Sequence, residues 1–348
     1  MKLVLFFGPC SISVDSADEN LIEKLARDFS YFTVPRADSG VCITITAERR
    51  EPDRQAYGGR YLFTHFNGRA YGWGDRRRVR YPETLVTYDA AANRGSVVSS
   101  DEELLHHYTY YLIIALAGVH LDARGFHRFH ALGISVAGKP ALFCMPISGG
   151  KTTLGLALIE DPEISLYSED TPLIDSRGRV HPFAVRWSLR EGHSAAIPER
   201  FTRIKNDPVF GKKILVDLDY YGLDRVTSTP GCSPLVFWSV KSSQERPSVQ
   251  AIHPLRSLAL LVYYIVTGKD CPQRAEVILR FSPGGIRMIT SLFCRRLLAA
   301  VWLWRSSASY WFYMTPDVPE NAAFIKGFIR EKSGVLRAGL PAKKSNRR

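Results

Sequence analysis

Residues 145–153 read Met-Pro-Ile-Ser-Gly-Gly-Lys-Thr-Thr. A pair of glycines ahead of Lys-Thr is suited to holding phosphate. Gly149 and Gly150 let backbone N–H groups turn toward an anion, and Lys151 reaches terminal phosphates. Thr152 supplies a hydroxyl for Mg²⁺. The expected nucleotide-binding residues are therefore Ser148, Gly149, Gly150, Lys151, Thr152 and Thr153. Met145 departs from the pattern G-x-x-x-x-G-K-[ST], standing where its first Gly belongs.

Phosphate chemistry also needs carboxylates, to hold the metal and to take a proton from an acceptor hydroxyl. The acids best placed to return to the loop are Glu169 and Asp170, which close the apolar run ISLYS. A strand ending in two carboxylates beside such a loop is a Walker B arrangement; an ordinary acidic turn is the competing reading.

The elements around these residues are in the required order. Residues 141–145 read as a strand entering the loop and 154–159 as an apolar helix leaving it. ALGISVAG (131–138) reads as the preceding strand. Upstream, MKLVLFFGPC is too short in its apolar part for a signal peptide and reads as a first strand. VCITITAE (41–48) alternates as a half-buried strand does, and the Gly-punctuated aromatic stretch 57–74 suggests hairpins. The cluster Arg76, Arg77, Arg78 and Arg80 is nearly balanced by Glu48, Glu51, Asp53 and Asp75, which favours a solvated loop over a nucleic-acid surface. Ser100-Asp101-Glu102-Glu103 caps a helix expected to close at Gly118. After residue 250 the pattern is mainly helical, at 255–268, 272–281, 285–304 and 319–330, with a strand at 309–315.

The block 129–174, FHALGISVAGKPALFCMPISGGKTTLGLALIEDPEISLYSEDTPLI, resembles the catalytic domain of HPr kinase/phosphorylase and related proteins. It has a His 21 residues before the loop Lys, two strands, G-K-T and a paired acid. The resemblance implies an α/β fold with a P-loop nucleotide-binding core of the HPr kinase/phosphoenolpyruvate carboxykinase type. To this core the sequence adds a β-rich N-terminal region and a helical C-terminal third. It implies ATP and Mg²⁺ as cofactors, with Thr152, Glu169, Asp170 and Glu191 facing the metal. Asp170 would be the catalytic base, His130 would lie beside the transferred phosphate, and Arg190 would stabilise transition-state charge. A surface Arg-Glu turn explains Arg190 and Glu191 equally well. The expected organisation is a β-rich domain over 1–100, a kinase-like domain over 101–333 and a basic tail over 334–348.

Composition narrows the classes further. The chain has 348 residues, 45% of them hydrophobic, which excludes a disordered chain and a disulfide-rich miniprotein. Six cysteines without a C-x-x-C pair suit a reducing cytosol, and no apolar run approaches the roughly 18 residues of a membrane span; a cytoplasmic location is expected. The His excess at 106, 107, 120, 127 and 130 lacks a second ligand cluster for zinc. Net charge is +12, and residues 251–348 alone carry 16 basic and 5 acidic groups. That balance suits an acidic acceptor. In 285–305, Ile289, Leu292, Phe293, Leu297, Ala300, Val301 and Trp304 form one stripe flanked by arginines. It reads as a core-facing helix, with an anionic membrane as the alternative.

Taken together, these features predict an ATP-dependent kinase acting on a Ser/Thr-type hydroxyl of a peptide, protein or small molecule. A non-catalytic nucleotide-binding regulatory or assembly protein is the alternative. No specific nucleic acid is expected as a partner, while peripheral membrane contact and homo-oligomerisation stay open.

Overall fold

A computed structural model describes residues 1–33, 41–53, 59–65, 67–147, 149–190, 197–207, 211–271, 273–279 and 283–334. The chain is mixed α/β, with about 36% helix and 36% strand. It folds into two compact units, each gathered from three stretches: 1–128, 184–223 and 268–298 in the first, and 129–183, 224–267 and 299–348 in the second.

The first unit is built on an eight-stranded sheet. Strands Lys2–Phe6 and Ser11–Asp15 pair antiparallel, and Ser11–Asp15 runs parallel to Cys42–Arg49 after the helix Glu19–Asp28. Asp18 caps that helix, its carboxylate accepting from Leu21 N at 3.0 Å. Cys42–Arg49 lies parallel to Arg94–Ser99, and an antiparallel meander through Thr84–Asp89, Arg76–Tyr81 and Gly68–Trp73 to Arg60–His65 completes the sheet. Period-two alternation buries Ile43, Ile45 and Ala47 together with Val79, Val86 and Val97.

The arginine cluster is not a loop. Arg76–Tyr81 is a strand in the middle of the meander, and its alternation buries Arg77. That guanidinium survives burial because its Nε donates to Leu279 O at 2.7 Å and its Nη1 to Arg76 O at 2.7 Å. The helix expected to stop at Gly118 runs on, over Glu102–Ala123, with Asp101 Oδ1 accepting from Leu104 N at 2.7 Å at its start. Gly118 serves close approach rather than termination. A Cβ there would stand 2.2 Å from Arg128 Nη2, and the buried Arg128 side chain donates to Ile114 O at 3.2 Å.

In the second unit a six-stranded sheet runs in the order Ile164–Ser168, Leu132–Val136, Lys139–Cys144, Leu235–Lys241, Ala308–Met314, Ser248–Ala251. The central three strands are parallel and the outer pairings antiparallel. One core gathers Phe129, Leu142, Trp238, Leu261, Ile265 and Leu303. Elsewhere on the sheet Phe143 stacks on Phe237 at 4.9 Å, and Phe328 of helix Val318–Ser333 meets Phe237 edge-on at 6.0 Å.

The helical third differs from expectation in two places. The helix expected over 272–281 is one turn, Ala275–Ile278, entered through Arg274 at φ 49°. The long helix is present as Pro283–Ser306, but its buried side is formed by Arg296, Ala299, Ala300 and Leu303. Ile289, Phe293 and Leu297, expected in the core, are exposed. The rotation follows from a buried ion pair: Arg296 Nη2 lies 2.7 Å from Asp122 Oδ2, so the charged position is drawn inward. Among the described residues no helix is long and apolar enough to cross a membrane. The basic segment after Gly334 lies outside the described residues.

Candidate functional site

The loop between strand Lys139–Cys144 and helix Lys151–Ile159 is shaped by its two glycines. Gly150 has φ 100° and caps the helix from the left-handed region, where a side chain would be strained. Gly149 donates its N–H to Pro146 O at 2.8 Å, and a Cβ at Gly149 would stand 2.8 Å from that same oxygen. The turn is therefore too tight for any other residue without rearrangement. Met145 has no such constraint. It lies outside the left-handed region and its side chain is buried, so the departure from the Gly pattern is accommodated by packing. Ser148 lies outside the described residues. Thr153 follows in the first helical turn, half-buried.

Four side chains converge at the head of this helix. Lys151 Nζ lies 2.9 Å from His130 Nε2 and forms an ion pair with Asp170 Oδ1. His130 Nδ1 is 3.3 Å from the same carboxylate oxygen. Thr152 Oγ1 donates to Glu169 Oε1 at 2.6 Å. Among the described residues, every expected member that belongs to this unit is therefore in or beside the loop. The 21-residue separation of His130 and Lys151 is closed by two adjacent antiparallel strands, Leu132–Val136 and Lys139–Cys144.

The acid pair is fastened by a residue that the sequence reading passed over. Ser168 Oγ donates to Phe183 O at 2.7 Å and accepts from Thr171 N at 3.0 Å and Asp170 N at 3.4 Å. Ala131 N donates to Asp170 O at 2.9 Å, tying the acid turn to the His130 segment. A Ser two residues ahead of an Asp, in S-E-D-T, is the sequence signal for such a turn.

The two carboxyls are shifted in opposite directions. Burial pushes the Glu169 carboxyl up to about 7, and the neighbouring Asp170 charge adds to the shift. Burial acts the same way on Asp170, but Lys151 and His130 outweigh it and hold that carboxyl well below the usual range. One acid is thus poised to carry a proton near neutrality while its neighbour stays ionised. Oxygen donors from Thr152, Glu169 and Asp170 make a set suited to a hard divalent cation.

Arg190 ends the strand Trp187–Arg190 in the first unit, in register with Lys213. Glu191 lies outside the described residues. The group assembled by the structure is thus His130, Lys151, Thr152, Glu169 and Asp170 around the glycine turn. Compared with known proteins, the chain matches no family model and no curated protein.

Proposed function

We propose that the second unit binds Mg-ATP at residues 145–153 and transfers its terminal phosphoryl group to a hydroxyl acceptor. The observation that supports this most directly is the meeting of Lys151, Thr152 and the pair Glu169–Asp170 at the N-terminal end of a helix that follows a tight glycine turn. Backbone N–H groups of the turn and the helix dipole favour the phosphates, and Lys151 supplies the point charge. Mg²⁺ would be held by Thr152 with Glu169 and would offset phosphate charge, leaving Asp170 for the acceptor's proton.

In the transfer step the acceptor oxygen forms a bond to the γ-phosphorus as the bond to the bridging oxygen breaks, and ADP leaves. The acceptor's proton passes to Asp170, which is ionised and one-third exposed, as a base in reach of an incoming hydroxyl must be. His130, beside Lys151, positions the cation. The resemblance to HPr kinase supports a Ser/Thr-type hydroxyl as acceptor, and the basic balance after residue 250 supports an acidic one.

The ion pair between Lys151 and Asp170 also suits a second reading, in which the protein binds nucleotide without transfer, because it engages the two groups that transfer requires. Incubation with terminally labelled ATP and a library of Ser- and Thr-containing peptides separates the two. Label on a peptide with wild type, absent with Asp170→Asn, supports the kinase. Nucleotide binding with no labelled product from any acceptor leaves the regulatory reading.

A further inference from the structure

The helix Pro283–Ser306 exposes an apolar face that the nucleotide site does not use. Ile286, Ile289, Phe293 and Leu297 recur at intervals of three and four and share one side. Along it Ile286 is 63%, Phe293 55% and Leu297 40% exposed. The four-residue stripe is about 16 Å long at 1.5 Å per residue. Large side chains this exposed, side by side on one helix, form a patch of the kind that marks an interaction surface.

The charges around the stripe decide what it meets. The helix sequence PGGIRMITSLFCRRLLAAVWLWRS contains no acidic residue. Arg287 and Arg305 are exposed on the side next to the stripe, whereas Arg295, on the far side of the helix from Phe293, donates to Ala123 O. The fourth, Arg296, is the one turned inward to Asp122. Against a second copy of this chain the same face would bring two sets of arginines together, with no carboxylate from either helix to answer them. Against an anionic bilayer both parts are satisfied. Ile286, Ile289, Phe293 and Leu297 enter the boundary of the acyl region, and the arginines meet lipid phosphates and carboxylates.

We infer that the outer face of helix Pro283–Ser306 is a peripheral docking surface for anionic membrane, lying in the interface rather than crossing it. The inference is independent of nucleotide binding. The test is co-sedimentation of the full chain with phosphatidylcholine vesicles made with and without phosphatidylserine, at low and at physiological salt. Wild type is expected to pellet with the phosphatidylserine vesicles and to weaken as salt rises. The pair Phe293→Ser and Leu297→Ser should lose at least tenfold in vesicle affinity. The pair Arg287→Ala and Arg305→Ala should lose roughly fivefold for each charge, together with the preference for phosphatidylserine. Both pairs alter exposed positions, and unchanged circular dichroism melts would verify their folding. Failure of wild type to pellet with anionic vesicles overturns the proposal. So does wild-type vesicle affinity in both double variants, which would place binding elsewhere on the chain. A concentration-dependent dimer that Phe293→Ser and Leu297→Ser dissolves, without vesicle binding, would assign the face to a second copy instead.

Discussion

Lys151 Nζ lies 2.9 Å from His130 Nε2 while it is ion-paired with Asp170. The cation that meets phosphate in the proposed reading is thus engaged by a carboxylate, which a triphosphate would have to displace. Removing Lys151 deletes a charge-assisted contact worth roughly 1.5–3 kcal/mol. Lys151→Ala is expected to bind Mg-ATP at least tenfold more weakly than wild type by isothermal calorimetry. Equal affinities would remove the loop from nucleotide binding altogether.

Asp170→Asn acts on the same relationship from the other side. The amide keeps the shape but gives up the charge that holds Lys151, so the lysine is released toward the phosphates. Nucleotide affinity should be retained or should rise, whereas phosphoryl transfer should fall by roughly a hundredfold or more because an amide takes no proton. A fall in Mg-ATP affinity would instead show that Asp170 acts chiefly as a metal ligand. Transfer at the wild-type rate would exclude both roles.

Gly118 provides a test in which propensity and packing have opposite signs. In an exposed helix, Gly→Ala stabilises by about 1 kcal/mol. Here the new methyl would meet Arg128 Nη2 at 2.2 Å, and that guanidinium is buried and donates to Ile114 O. Gly118→Ala is expected to destabilise by about 1–3 kcal/mol in urea denaturation. A stabilised variant would mean that Arg128 is free to leave its place.

The same comparison shows what was legible in the sequence. Strand, glycine turn, helix and acid pair could be read because each is a local signal: the apolar run 141–145, Gly149 and Gly150 before Lys151, Asp101 ahead of an acidic turn. Gly118 misled because a helical glycine reads as a stop unless one knows that Arg128 will lie across it. The Arg76–Tyr81 strand was hidden because four arginines mask its alternation, and burial of Arg77 depends on the distant carbonyl of Leu279. In Pro283–Ser306 the expected stripe is split: Ala300 is buried as expected, while Ile289, Phe293 and Leu297 are exposed. Which side faced the core, however, was set by the pair Arg296–Asp122, 174 residues apart in sequence.

Glu169 gives the site a stability signature in pH. Its carboxyl is raised from the ordinary 4.5 to about 7 by burial and by the Asp170 charge. An acid whose folded value exceeds its unfolded one holds its proton more tightly in the folded state. Its contribution to stability is therefore fully present at low pH, is lost as pH rises from about 4.5 to 7, and stays lost above. At about 1.4 kcal/mol per unit, that loss is roughly 3 kcal/mol. Asp170 works in the opposite sense, since its depressed value makes its contribution vanish on acidification, below this window. Glu169→Gln carries no titrating proton but keeps an oxygen to accept from Thr152 Oγ1. It should match wild type near pH 4 and exceed it by roughly 3 kcal/mol at pH 8 in urea denaturation without metal. Mg²⁺ held as proposed should reverse the ranking, because it would bind the ionised carboxylate and displace the proton. Wild type should then gain stability from Mg-nucleotide more strongly at pH 8 than at pH 6, and Glu169→Gln should gain little at either. A wild-type minus Gln difference that is flat between pH 5 and 8 would show that Glu169 is already ionised in the folded protein, and that the proton assigned to it is not there.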